Sequence, residues 1–212
     1  MNSKVAIVDY GIGNVFSVAR ALEHCGAEAY LTAEPAKIEA ADYLILPGVG
    51  AFADAMKGLR EKNLLDAVKN FCLRDRPFMG ICLGMQMMLD STEEFGHHKG
   101  IGLISGRVEA IPERDATGNR HKLPHIGWNR LIFNEGSCED KLLSGVESGS
   151  YVYFVHSFTA SPADQERRIA DTEYNGCRIS AIIKLGNLYG CQFHPEKSGK
   201  VGLNLITNFI SL

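Results

Sequence analysis

The 212-residue chain holds a single tryptophan and no excess of either charge: 22 basic side chains stand against 25 acidic ones, for a formal net charge of −3. So balanced a surface excludes a general nucleic-acid or membrane-surface binder, which would need a basic field, and leaves small molecules or a protein partner as the expected ligands. No apolar run approaches the roughly 20 residues that cross a bilayer. The six cysteines include no C-x-x-C pair, and Met1-Asn2-Ser3-Lys4 leads into a strand pattern with no secretory h-region. The expected setting is therefore the reducing cytoplasm. Gly11-Ile12-Gly13 is followed by Phe16 where a dinucleotide fingerprint requires a third glycine, and Gly199-Lys200-Val201 fails the last position of a Walker loop. No cofactor and no metal is expected. Internal repeats and low-complexity tracts are also missing, and the length suits one α/β domain over residues 1–212 that buries its own core.

What the chain does contain is a thiol between two glycines. Gly80-Ile81-Cys82-Leu83-Gly84 follows the apolar Pro77-Phe78-Met79 and opens the helix-forming run Leu83 to Leu89. Strand, sharp turn and helix with a thiol at the apex resemble the elbow that presents nucleophiles in α/β enzymes. The glycines remove Cβ atoms that would clash in so tight a turn. Unpaired N–H groups at the helix start, with the helix dipole, favour the reactive thiolate. The other five cysteines, Cys25, Cys72, Cys138, Cys177 and Cys191, read as small hydrophobes.

Along the chain, Val5 to Val8 reads as a buried strand, and Asn14 caps a helix with Val15, Val18, Ala19 and Leu22 on one face before Gly26. Ala29–Leu31, Tyr43–Leu46 and Pro77–Ile81 read as further strands, with an amphipathic helix from Leu64 to Cys72. After Leu89 the texture turns to strands at 108–111, 126–133, 151–157, 179–184 and 188–193, the last two joined by a Gly186-Asn187 hairpin, with a helix from Val201. The expected fold is α/β, a mostly parallel central sheet flanked by helices, with an additional antiparallel or mixed strand region in the C-terminal half. The polar stretch Glu113 to Lys122 reads as a mobile surface loop.

A cysteine nucleophile needs a base and a group to orient that base. His194-Pro195-Glu196, at the end of a buried-type strand, offers both, whereas His24, His97, His98 and His121 read as surface or packing histidines. Pro47-Gly48-Val49-Gly50 can turn an N–H inward to hold an oxyanion, or can be an ordinary tight turn.

This constellation resembles the class I (triad) glutamine amidotransferases, in which a Gly-x-Cys-x-Gly elbow is paired with a distant His-Pro-Glu and a Pro-Gly-rich loop. The match extends over nearly the whole chain and is narrowest to the glutaminase subunits of imidazole glycerol phosphate synthases. Asp9-Tyr10-Gly11-Ile12-Gly13-Asn14, Leu46 to Phe52, Gly80 to Gln86, Pro124-His125-Ile126-Gly127-Trp128-Asn129, Tyr153 to Ser157 and Gln192 to Ser198 carry it. The resemblance implies that Cys82 is the nucleophile, His194 the base and acid, and Glu196 the orienting carboxylate. It implies an oxyanion hole from Val49, Gly50 and Leu83, and an L-glutamine pocket from Gln86, Glu94, Ser157 and Phe158, although Glu94 also reads as half of a solvated acidic pair. It further implies a heterodimer with a (β/α)₈-barrel cyclase, to which ammonia is passed in histidine synthesis, with Asn14, Trp128, Tyr153, His156 and Lys197 facing that partner. Trp128 also reads as a buried core residue. Two alternatives share these residues: a paralogous glutaminase serving another synthase, such as one amidating a surface-polysaccharide sugar, and a catalytically silent subunit of the same fold. The acceptor and the role of Glu113 to Lys122 are left open, and alkylation of the isolated chain by a glutamine-analogue electrophile is expected to be low.

Overall fold

A computed structural model describes residues 3–212; Met1 and Asn2, part of the chain start read above, lie outside them. The first half alternates strand and helix: β1 (Lys4–Val8), α1 (Val15–His24), β2 (Glu28–Thr32), α2 (Pro35–Ala40), β3 (Tyr43–Gly48), α3 (Phe52–Glu61), α4 (Leu65–Cys72), β4 (Phe78–Cys82) and α5 (Leu83–Met87). Strands dominate the second: β5 (Ser91–Thr92), β6 (His98–Lys99), β7 (Gly106–Ala110), β8 (His125–Arg130), β9 (Ile132–Phe133), β10 (Tyr151–His156), β11 (Phe158–Pro162), β12 (Arg168–Tyr174), β13 (Cys177–Leu185) and β14 (Leu188–Cys191), before α6 (Gly199–Phe209).

Eight strands form one sheet in the order β2-β1-β3-β4-β14-β13-β12-β9. It is parallel from β2 to β14 and antiparallel from β14 to β9. The period of two along each strand divides the core. Ala6, Val8, Leu44 and Leu46 face a layer built with α2, α3, α4 and α5, while Val5, Ile7 and Ile45 face a layer built with α1 and α6. Each fully buried Leu or Phe in these layers contributes about 1.5–3 kcal/mol. β8 and β10 form a separate antiparallel ribbon, and β11-β7-β5-β6 a small mixed sheet. No helix among the described residues is long and apolar enough to cross a membrane.

Several local expectations give way to tertiary packing. Asn14 makes no side-chain cap at α1, whose Val18 N–H bonds to the Asn14 backbone carbonyl. The run to Leu89 leaves the α-helix at Met87, because the Met88 and Leu89 N–H groups turn to the i−3 carbonyls of Met85 and Gln86. The single strand read over 126–133 breaks at Leu131, which bonds to Ser150 and buries its side chain, and β9 crosses to the edge of the large sheet. Glu113 to Lys122 lies on the surface, as expected, and contains a local turn in which Asp115 Oδ1 accepts from the Thr117 and Asn119 N–H groups at 2.8 and 2.9 Å. Cys72 and Cys191 are buried as expected, but Cys138 is exposed on a 3₁₀ turn.

Candidate active site

β4 ends at Cys82 with φ +54° and ψ −110°. A residue with a Cβ rarely adopts this conformation, which costs on the order of 1–3 kcal/mol. Three glycines make the turn possible. A Cβ on Gly84 would lie 1.9 Å from the Leu46 carbonyl oxygen, one on Gly80 2.7 Å from the Gly84 carbonyl, and one on Gly48 2.9 Å from the Gly84 nitrogen. β3, β4 and α5 therefore close backbone against backbone, and the thiol stands at the carboxyl end of the parallel strands, where such sheets place ligands.

His194 leaves the adjacent β14 and is locked by its backbone. Its N–H bonds to the Tyr153 carbonyl at 3.0 Å, and its own carbonyl accepts from Ser198 Oγ at 2.7 Å. Pro195 opens a 3₁₀ turn that bends Glu196 back to the imidazole. Nδ1 of His194 and Oε1 of Glu196 are 2.8 Å apart, and the two side chains are 2% and 0% exposed. A carboxylate only accepts, so the ring proton sits on Nδ1. Nε2 is buried and makes no hydrogen bond. Burial alone would lower the His194 imidazole, but the neighbouring Cys82 and the hydrogen-bonded carboxylate of Glu196 raise it to about 9.

A cleft of about 390 Å³ opens over the pair, and it gathers every oxyanion and substrate residue expected from the sequence: Val49 and Gly50 from the loop after β3, Leu83 and Gln86 from α5, with Glu94, Ser157 and Phe158. Gln86 Nε2 donates to the Phe158 carbonyl at 2.9 Å and to Gln192 Oε1 at 3.0 Å. Glu94 is no freely solvated acid: its Oε2 accepts from the Phe52 N–H at 2.7 Å, at the first turn of α3, directly after the Val49–Gly50 loop. Gly50 holds φ +87° in that loop. Tyr10 anchors the same loop by donating to the Pro47 carbonyl at 2.8 Å, and burial beside Cys82 pushes its phenol up. Gln192 and Tyr10 had no assigned role in the sequence reading. The available signal was a fully buried-type strand, Leu188 to Phe193, interrupted by one polar residue.

The residues expected at a partner interface separate. Trp128 is 55% exposed, rather than buried in the core, and packs edge-to-face on Tyr153 with ring centroids 6.0 Å apart. Lys197 is exposed and Asn14 half-buried, whereas His156 is turned inward and lines the cleft. Ile126 and Tyr151 extend the apolar surface around Trp128. No group of three or more His, Cys, Asp or Glu side chains among the described residues is arranged to hold a metal ion.

The family described as "Glutamine amidotransferase class-I" matches residues 6–211. The chain belongs to the class-I glutamine amidotransferases. It is accordingly an enzyme of that family. The chain is 52% identical to "Imidazole glycerol phosphate synthase subunit HisH 1" of Legionella pneumophila (strain Lens) over 99% of its own length and 100% of that protein. It is 46% identical to "Imidazole glycerol phosphate synthase subunit HisH" of Geobacillus sp. (strain WCH70) over 98% of its length and 96% of that protein. Among solved structures, PurLQS from Thermotoga maritima superposes with a TM-score of 0.72 at 22% identity, covering 100% of this chain and 99% of that one. The glutaminase domain of Trypanosoma brucei CTPS with bound acivicin gives 0.67 at 17%, covering 99% and 92%. These two likenesses concern the fold.

Proposed function

We propose that this amidotransferase is the glutaminase subunit of an imidazole glycerol phosphate synthase. The Cys82 thiolate attacks the side-chain carboxamide carbon of L-glutamine, and backbone N–H groups of Leu83 and the Val49–Gly50 segment hold the oxyanion. The His194 imidazolium, oriented and stabilised by Glu196, protonates the departing ammonia; it then takes a proton from water, whose oxygen attacks the thioester and releases glutamate. The substrate's α-ammonium is held by Glu94, and Gln86, Ser157 and Phe158 shape the remainder of the pocket. Ammonia is handed to a (β/α)₈-barrel cyclase docked on the Trp128 and Tyr153 face, which keeps it from becoming ammonium in water. Free thiols at all six cysteines suit the reducing cytoplasm.

The observation that carries this reading is the burial of His194 between a strained thiol and a carboxylate 2.8 Å away, in a chain half identical to subunits of that synthase. The test is Cys82→Ala in the complex with the co-purified synthase partner. Glutamine-dependent turnover should vanish while ammonia-dependent turnover persists. Equal loss of both refutes the assignment, and a co-purified synthase of another kind places the chain in another pathway.

A further inference from the structure

Among the buried titratable side chains that have no part in the mechanism above, two are histidines. His125 and His156 stand directly opposite each other in the β8–β10 ribbon. The alternation that turns Ile126 and Trp128 outward turns these two inward, where they are 2% and 6% exposed. Nδ1 of His125 lies 3.0 Å from Nε2 of His156, and Nδ1 of His156 lies 2.8 Å from the Phe158 carbonyl oxygen. At the other end, Asn129 Nδ2 lies 3.3 Å from His125 Nε2 and 2.8 Å from the Glu173 carbonyl, while Asn129 Oδ1 accepts from the Arg130 N–H.

The ends set the sense of the whole chain. A carbonyl only accepts, so His156 carries its proton on Nδ1 and leaves Nε2 bare; a bare Nε2 only accepts, so His125 must donate from its own Nδ1. Its bare Nε2 then meets the Asn129 amide nitrogen, which only donates. Flipping Asn129 would set its oxygen against the Glu173 carbonyl. Beyond Phe158 the polarity continues into the cleft. The same carbonyl accepts from Gln86, whose second N–H reaches Gln192 Oε1, and Gln192 Nε2 consequently faces Cys82 Sγ at 3.8 Å. Both imidazoles are held neutral. Burial lowers His125, stacked between Phe154 and Tyr174, to about 4. Burial also lowers His156 to about 3, against the pull of the Phe158 carbonyl and with the charges of His125 and His194 opposing a further cation.

We propose that His125 and His156 are positioning residues for glutamine hydrolysis: two neutral imidazoles, each protonated at Nδ1, form a one-way hydrogen-bond chain from Asn129 that holds the Phe158 carbonyl in place, and that carbonyl orients the Gln86 amide, whose second N–H sets Gln192 Nε2 toward Cys82. The catalytic part of this statement rests on the glutaminase reading. The tautomers do not. Reversal of either ring sets two donors or two lone pairs against each other at a buried contact, so the chain has a single sense.

The full chain, labelled with ¹⁵N-histidine, is observed by long-range ¹H–¹⁵N correlation near neutral pH. Both residues should show a protonated Nδ1 and a bare Nε2, the minor tautomer of free histidine; an Nε2–H or an imidazolium at either residue overturns the proposal. In the synthase complex, His125→Phe keeps the ring stack and removes both hydrogen bonds, whereas His125→Asn places an amide nitrogen near the lost Nδ1. The Phe variant should lower kcat for glutamine roughly three- to tenfold, as loss of a neutral buried hydrogen bond does, with a smaller change in KM, and the Asn variant should recover most of it. Wild-type rates in the Phe variant overturn the positioning role, as do equal losses in both variants accompanied by equal falls in melting temperature. A wild-type complex that hydrolyses no glutamine refutes the glutaminase reading instead, and the tautomers still decide the chain.

Discussion

Glu196→Gln keeps the shape of the orienting group and removes its charge. In the native site Oε1 of Glu196 accepts the Nδ1–H of His194 at 2.8 Å, and Oε2 is buried with no partner. A glutamine there has two orientations, and both are poor. With its carbonyl on Nδ1, the amide NH₂ occupies the place of Oε2, where nothing accepts its N–H groups, at a cost of about 1–3 kcal/mol. With the amide reversed, NH₂ faces Nδ1 and drives the proton to Nε2, so the imidazole can no longer take a proton from the sulfur side. Either way the carboxylate's share in raising His194 to about 9 is lost. A charge-assisted hydrogen bond exceeds a neutral one by about 1–2 kcal/mol, so iodoacetamide should alkylate Cys82 near neutral pH about tenfold more slowly in the variant. The loss of glutaminase rate should be larger, toward the roughly 10⁴-fold seen when a triad carries the wrong tautomer. The assay is the rate of Cys82 modification against pH in the full chain, followed by peptide mapping, with Cys82→Ser reporting on the other five thiols. Superimposable wild-type and variant profiles would refute the claim that Glu196 sets the charge on His194.

Gly84→Ala places a Cβ 1.9 Å from the Leu46 carbonyl; overpacking against rigid backbone should cost about 3 kcal/mol or more, and a native melting temperature in that variant contradicts the backbone contact between α5 and β3. Glu94→Ala removes the acceptor for the Phe52 N–H and should cost about 1 kcal/mol in urea unfolding. Glu94→Gln should keep most of that stability while still raising KM for glutamine, so equal stability losses in the two variants would deny the cap. The raised His194 pKa also fixes a pH dependence. Because the folded value lies near 9, above the ordinary 6.5, its stabilisation is complete below 6.5 and disappears as pH rises through about 9. Against His194→Gln, the wild type should therefore lose melting temperature over that window; parallel curves would contradict the ion-pair environment.

The elbow was legible because its physics is local. A thiol between glycines after an apolar run describes a turn whose Cβ positions are filled by neighbouring backbone, and the order of alternating strands and helices determined the parallel half of the sheet. α3 carries its own helical signal, since Phe52, Ala55, Met56 and Leu59 recur at helical spacing directly after the glycine loop. The break at Leu131 depends on partners distant in sequence, Ser150 and β12. The resemblance to the amidotransferases rested on residue types in order: a cysteine, a loop and a His-Pro-Glu, each defined by a few neighbouring positions. Tertiary structure alone decided which atoms of those side chains meet. Gln192 reaches Cys82 across 110 positions, and His125 meets His156 across 31, because strands far apart in the chain are brought into register. A hydrogen bond has a direction that residue identity leaves free. Only the fixed carbonyls and amides around a buried ring settle which nitrogen holds the proton.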